Sequence, residues 1–382
     1  GHKGIGFVFT IGRGNDVVIK AIESLAQRFV GQTVEHLLDD MKMAWDMLVH
    51  DSQLRWLGPE KGVEHMAIGA MLSALWDLKA KRAGLPLWQL LAEMTPEELV
   101  ATLDFRYLTD VLTPEEAVDI LKRGQVGKAE RIQSLLDNGY PGYSTAAGWL
   151  GYSDEKMVSL AKSESTEKGF GLIKLKVGQS INDDLRRLKL AREAIGPDVK
   201  LAVDANQVWD VDQAIEWIGH FKDYDLAWVE EPTSPDDVLG HARIAQAVTP
   251  IPIATGEQMQ SRILYKQFLQ ANAFEIMQVD ATRVAGPQEL VIEYLLAHKF
   301  GKRVCPHAGG VGLCEAVQHF AMFDFVAISG TTEGRFIEYV DNQHEHFITP
   351  VVIKNGNYMP PTTPGNSCEM TLETAEKYLY AP

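Results

Sequence analysis

Cysteine is scarce in this chain: Cys305, Cys314 and Cys368 are the only three in 382 residues, and no CxxC pair is present. An odd number at such spacing excludes a disulfide framework and a cysteine-built zinc site, and points to thiols in a reducing, cytoplasmic compartment. Positive charge is also short. Lys and Arg number 36 against 52 Asp and Glu, a net charge of −16, and no basic cluster offers a surface to nucleic acid. No apolar run approaches the ~18 residues that cross a bilayer, and no basic segment leads into an apolar one at the start, so neither a membrane partner nor a secretory leader is expected. GxGxxG and Walker A signatures are missing, which removes the commonest phosphate-cradling loops.

What remains is an ordinary globular composition, 46% hydrophobic and 23% charged, long enough for one large domain and a smaller one. The chain opens Gly1-His2-Lys3 without methionine and enters the alternating stretch Ile5-Gly6-Phe7-Val8-Phe9 at once, from which a preceding N-terminal piece is expected. From Asp16 to about Glu98 the pattern is helical. Its clearest element runs from Val63 to about Ala83, with apolar residues at three- and four-residue steps and a Gly84, Pro86 stop. Thr95-Pro96-Glu97-Glu98 and Thr113-Pro114-Glu115-Glu116 each combine a cap residue, a first-turn proline and first-turn carboxylates, so both predict helix starts.

After about Leu99 the texture changes to short apolar runs separated by amphipathic stretches, the alternation of βα units. The runs are Leu172–Val177, Leu201–Asp204, Ala227–Glu230, Ile251–Ala254, Ile276–Asp280, Arg303–His307 and Phe336–Val340. Most end on or just before a residue able to do acid–base or metal chemistry: Lys176, Asp204, Glu230, Glu257, Asp280, His307 and Glu338, at steps of 28, 26, 27, 23, 27 and 31. A near-constant step predicts a closed (β/α)8 barrel, in which working groups gather where strand ends meet the following loops. Past Glu338 the alternation stops, and the proline-rich tail reads as a return over another domain. The expected division is 1–98, 99–340 and 341–382.

Asp204, Glu230 and Glu257 at the ends of three successive strands place three carboxylates around one point, a donor set suited to a hard cation such as magnesium. Singly, each is also what a salt-bridged strand end looks like; the matched spacing is what points to a metal. Strand alternation sends Glu230 and Glu231 to opposite faces, and Glu230 keeps the spacing. Lys174 and Lys176, two apart, point the same way. Each disfavours the other's charge, so one lysine neutral near pH 7 is expected, a base for the proton beside a metal-bound carboxylate. On its own the pair is equally a solvated strand end. Asp280 beside His307 fixes the imidazole tautomer and raises its basicity, giving a second acid–base group across the site. Glu338 is either a hydrogen-bonding partner of a developing enediolate or an ordinary salt bridge.

Lys174-Leu175-Lys176, Asp204-Ala205-Asn206, Trp228-Val229-Glu230-Glu231-Pro232, Thr255-Gly256-Glu257, Val279-Asp280 and Cys305-Pro306-His307 together resemble the successive strand-end motifs of the enolase superfamily, mandelate racemase subgroup. Within it, Leu54 to Gly62, Leu103 to Tyr107, Glu230 to Asp237 and Cys305 to Glu315 are most similar to the L-fuconate dehydratases. The resemblance implies a (β/α)8 barrel under an α+β capping domain built from both termini. It further implies magnesium on Asp204, Glu230 and Glu257, and substrate contacts from Lys174, Lys176, Asn206, His307 and Glu338. Lys176 would take the proton from carbon 2, and His307, held by Asp280, would protonate the departing 3-hydroxyl. Lys174 and Glu338 would steady the enediolate, and a 2-keto-3-deoxy sugar acid would result. Alternatives are another acid-sugar dehydratase or a racemase on the same constellation, or a non-catalytic relative lacking the N-terminal piece. Arg55, Trp56 and Lys61 could face the barrel mouth or merely pack, and stay outside the catalytic set. A symmetric homo-oligomer is expected.

Overall fold

The computed structural model describes residues 3–380; Gly1 and His2, on which the expectation about the chain's start bears, lie outside the described residues. Eight strands form the barrel: β1 Tyr140–Ser144, β2 Leu172–Lys176, β3 Lys200–Asp204, β4 Leu226–Glu230, β5 Ile253–Thr255, β6 Ile276–Met277, β7 Arg303–Val304 and β8 Ile337–Tyr339. Neighbours from β1 to β7 pair in parallel, β8 pairs with β1, and the Glu338 amide donates to the Pro306 carbonyl, so the sheet closes on itself. The expected (β/α)8 architecture is present.

The seven runs legible in the sequence account for β2 to β8. The first strand, Tyr-Pro-Gly-Tyr-Ser, is hidden because proline and glycine are depleted in strand interiors. It tolerates Pro141 here because that residue meets Asn357 of β10, where the short antiparallel hairpin of β9 (Val352–Lys354) and β10 (Asn357–Met359) joins the sheet.

Parity along the strands places the site. Tyr143, Leu172, Ala202, Trp228, Ala254 and Ile276, one from each of β1 to β6, and Cys305 just past β7 form an apolar cluster in the barrel interior. Because strand side chains repeat every two residues, Lys174, Asp204, Glu230 and His307 lie two positions further along the same inward face, and Lys176 and Asp280 four. Glu257 breaks the parity, three residues past Ala254. Gly256 makes the correction with φ 142°, in a place where a Cβ would collide with the Gln278 carbonyl oxygen. The Tyr265 hydroxyl ties that crossing by donating to both the Gly256 and Gln278 carbonyls.

The N-terminal part is helical, led by Gly62–Ala83, and both TPEE segments form the expected capping boxes at Pro96–Ala101 and Pro114–Arg123. Its extended start, Lys3 to Thr10, packs along Gly62–Ala83 without a ladder partner; Gly4 and Gly6 lie against the carbonyls of Ala74 and Ala70. The chain past β10 reaches the same region, with Gly365 bonded to Leu85 and Leu87, Asn366 to Asp77, and Glu369 to Lys81. Arg262, fully buried at the start of the helix after Glu257, pairs with Glu289 of the barrel helix Pro287–Lys299 and reaches Glu60 and Asp104 of the chain before β1. The three cysteines are buried and unpaired, and among the described residues no helix is long and apolar enough to cross a membrane.

Candidate active site

All seven residues at the strand-end spacing open into one mouth of the barrel, where they pair in a chain of opposite charges. Lys174, 1% exposed, lies 2.5 Å from Glu230, 3.1 Å from Glu338, 3.8 Å from Asp204 and 3.2 Å from the Tyr143 hydroxyl. Lys176 is bonded to Asp204. His307 Nδ1 is 2.7 Å from Asp280, while its Nε2 faces Glu257 at 3.6 Å and Glu338 at 3.8 Å. Asp280 is itself fixed by the amide and hydroxyl of Thr282, and Glu338 accepts the Ala308 amide. Lys176 on β2 and His307 beyond β7 therefore reach the carboxylate cluster from different sides. Asn206 is exposed just past β3 and donates its backbone amide to Asp204.

Burial alone would lower the pKa of both lysines. The carboxylates outweigh it, chiefly Glu230 and Glu338 at Lys174 and Asp204 at Lys176, so both lie above the ordinary lysine value. The expected neutral lysine is therefore not found in this state: mutual repulsion is weaker than two direct ion pairs. Burial likewise disfavours charge on His307, yet Glu257, Asp280 and Glu338 push it up to about 10. It stands as an imidazolium donating to Asp280. Burial, Asp204 and Glu338 raise Glu230 to about 8 against the pull of Lys174.

Glu231 corrects the alternation argument. Its φ of 44° ends the strand, so it does not turn to the outer face; it is fully buried, bonded to Gln207, and raised to about 9 by burial and then by Glu257 and Asp204. Both glutamates thus border the cluster. The only sequence signal was the proline that follows, a weak one. Tyr143 was missed with its strand.

Asp204 and Glu257 each face a cation of the site, Lys176 and His307, and Glu230 faces Lys174, so the three carboxylates do not converge as a closed ligand group. Among the described residues three acid or histidine ligand atoms lie within 4.8 Å of one another only at Asp46, His50 and Asp104, where Arg262 already occupies Asp104. Arg55 pairs with Glu60, and Arg55 and Lys61 line a cavity of about 360 Å³ with Gln260 and Ser261, while Trp56 is exposed.

A closed barrel carrying lysine, carboxylate and histidine groups on successive strand ends, covered by a helical layer, defines the enolase class of α-proton-abstracting folds. Residues 156–375 match the enolase C-terminal domain-like family and residues 1–92 the mandelate racemase / muconate lactonizing enzyme N-terminal domain; the chain belongs to this family. It is 48% identical over 382 residues to human mitochondrial enolase superfamily member 1, covering 100% of this chain and 86% of that one. To L-galactonate dehydratase of Hypocrea jecorina it is 48% identical over 384 residues, covering 99% and 85%. The crystal structure of the human protein superposes with TM-score 0.96 at 47% identity, over 99% of this chain and 86% of that one. L-Talarate dehydratase from Polaromonas sp. JS666, solved with Mg and L-glucarate, superposes with TM-score 0.76 at 28% identity, over 98% and 88%. The two dehydratases among these relatives are named for acid sugars, L-galactonate and L-talarate rather than L-fuconate.

Proposed function

We propose that this protein is a magnesium-dependent acid-sugar dehydratase acting on an L-galacto-configured aldonate, L-fuconate or L-galactonate. The two differ only in the group at carbon 6, so the L-fuconate motifs and the L-galactonate dehydratase relative point to one substrate shape. The division into a cap of residues 1–98, a barrel of 99–340 and a returning segment of 341–382 is part of the same proposal.

The donor set fits a divalent ion. Six buried carboxylates, Asp204, Glu230, Glu231, Glu257, Asp280 and Glu338, face three cations, Lys174, Lys176 and His307; burial first, and then this excess, raises Glu230 and Glu231. Asp204, Glu230 and Glu257 would hold the ion by turning from their present partners. Bound there, magnesium supplies positive charge to the substrate carboxylate and so eases loss of the adjacent proton. With Asp204 so engaged, Lys176 loses the partner that holds its proton, and burial then lowers its pKa toward that of a working base.

Lys176 accepts the proton from carbon 2. Lys174, which keeps Glu338 and the Tyr143 hydroxyl as partners, stays cationic and steadies the negative charge that develops on the substrate. The protonated His307 then gives its Nε2 proton to the 3-hydroxyl, the carbon 3–oxygen bond breaks, and water leaves. The enol that remains ketonises to the 2-keto-3-deoxy acid. Asp280 keeps the imidazolium oriented throughout.

The observation that carries this reading is a lysine and an Asp-paired imidazolium approaching one carboxylate cluster from different strands. An imidazolium held by Asp280 can donate either to the 3-hydroxyl or to carbon 2, so the product separates dehydration from racemisation. Incubation with an acid-sugar panel, with magnesium or with EDTA, followed by detection of 2-keto-3-deoxy acids tests it. Product with magnesium only is expected; inversion at carbon 2 without dehydration would replace it with the racemase reading, and no product from any sugar would refute it.

A further inference from the structure

The groups facing the mouth are almost all charged, whereas an acyclic sugar acid also presents carbon–hydrogen faces that need an apolar surface. One is built beside the proposed base. Trp149, in the loop that leaves β1, is 44% exposed, and its ring centroid is 5.7 Å from the Lys176 ammonium nitrogen.

This indole is not on a free loop. Gly148 donates its amide to Thr145 and accepts that of Lys176 at 2.9 Å, which lays the loop along the end of β2. It lies so close that a Cβ on Gly148 would collide with the Lys174 carbonyl. From behind, the buried Arg187 guanidinium donates to three carbonyls, those of Lys176, Gly148 and Trp149, the last two at 2.9 and 3.3 Å. One side chain therefore fixes the backbone of the base and of the tryptophan in a single frame. Loops held on a rigid scaffold are where binding groups sit, and this one holds its indole beside the end of β2.

We propose that Trp149 is a substrate-binding, specificity-determining wall of the site, packing its indole face against the carbon–hydrogen edge of the aldonate, and that Arg187 is its positioning residue. This rests on the acid-sugar reading above. The wall is apolar, so it favours the 6-deoxy end of L-fuconate over the 6-hydroxyl of L-galactonate.

The experiment measures kcat and KM separately for L-fuconate and L-galactonate in the wild type, Trp149→Ala, Trp149→Phe and Arg187→Lys, with a thermal melt for each. Expected are a KM at least tenfold higher in Trp149→Ala, an unchanged melting temperature because the indole is exposed, a larger loss for L-fuconate than for L-galactonate, and recovery of most of the affinity in Trp149→Phe. Arg187→Lys keeps the charge but cannot span three carbonyls, and should lower kcat and raise KM together. Wild-type turnover with KM within twofold in Trp149→Ala overturns the wall and leaves the dehydratase standing. A wild type that dehydrates no acid sugar overturns the dehydratase, and the wall falls with it.

Discussion

Replacing Lys176 by alanine should separate two quantities that the site ties together. Lys176 is the one cation bonded to Asp204 alone, whereas Lys174 is held by Glu230, Glu338 and Tyr143 and cannot swing into its place. Loss of a general base costs about 10² to 10⁴ in kcat, or roughly 3 to 5.5 kcal/mol of barrier at about 1.4 kcal/mol per tenfold. Magnesium affinity should move the other way. The ion must displace the ammonium from Asp204, and a hydrogen bond between charged groups contributes about 1.5 to 3 kcal/mol, so removing it should tighten magnesium binding by about tenfold or more. Turnover of L-galactonate, deuterium uptake at carbon 2 from D2O and calorimetric magnesium titration read these effects independently. Near-normal turnover in Lys176→Ala would refute its role as base, and magnesium binding lost along with turnover would refute the competition at Asp204.

His319 gives a pH test remote from the mouth. It accepts the Trp88 amide, contacts Ser367, and burial pushes its pKa to about 3 against an ordinary 6.5. Above pH 6.5 it is neutral folded and unfolded, and its full contribution is present. As pH falls only the unfolded chain takes the proton, so stability should drop by about 1.4 kcal/mol per unit, about 2.5 kcal/mol between pH 7 and 4.5. Urea melts should show that this increment is missing in His319→Asn. Asp280→Asn removes the carboxylate from His307 Nδ1 and should lower kcat about 10- to 100-fold. It should also bring the alkaline limb of the kcat profile to lower pH, since the donor loses its proton earlier; an unmoved limb would count against His307 as the acid. Gly256→Ala forces a Cβ into the Gln278 carbonyl at φ 142° and should cost about 2 to 5 kcal/mol in a thermal or urea melt.

The barrel was readable because it is periodic. A step of about 27 residues is one strand, one helix and two loops, and a two-residue parity within strands turns Ala202 and Trp228 into the barrel floor and Asp204 and Glu230 into the mouth. The capping boxes and the Gly62–Ala83 helix were equally legible, since their signals lie within a few residues of one another.

Tertiary structure decided whatever depends on distant partners or on one irregular dihedral. Charge on Lys174 and Lys176 followed from carboxylates on other strands, not from their closeness in sequence. A positive φ at Glu231 undid the alternation argument, and β1 became a strand because β2, β8 and β10 surround it. Arg187 meets Trp149 across 38 residues, and Arg262 meets Glu60 across 202. Local spacing carries the pattern of a fold in the chain itself. Electrostatic state and side-chain support depend on which residues the folded chain brings within a few ångströms, and those choices come into being only when it closes.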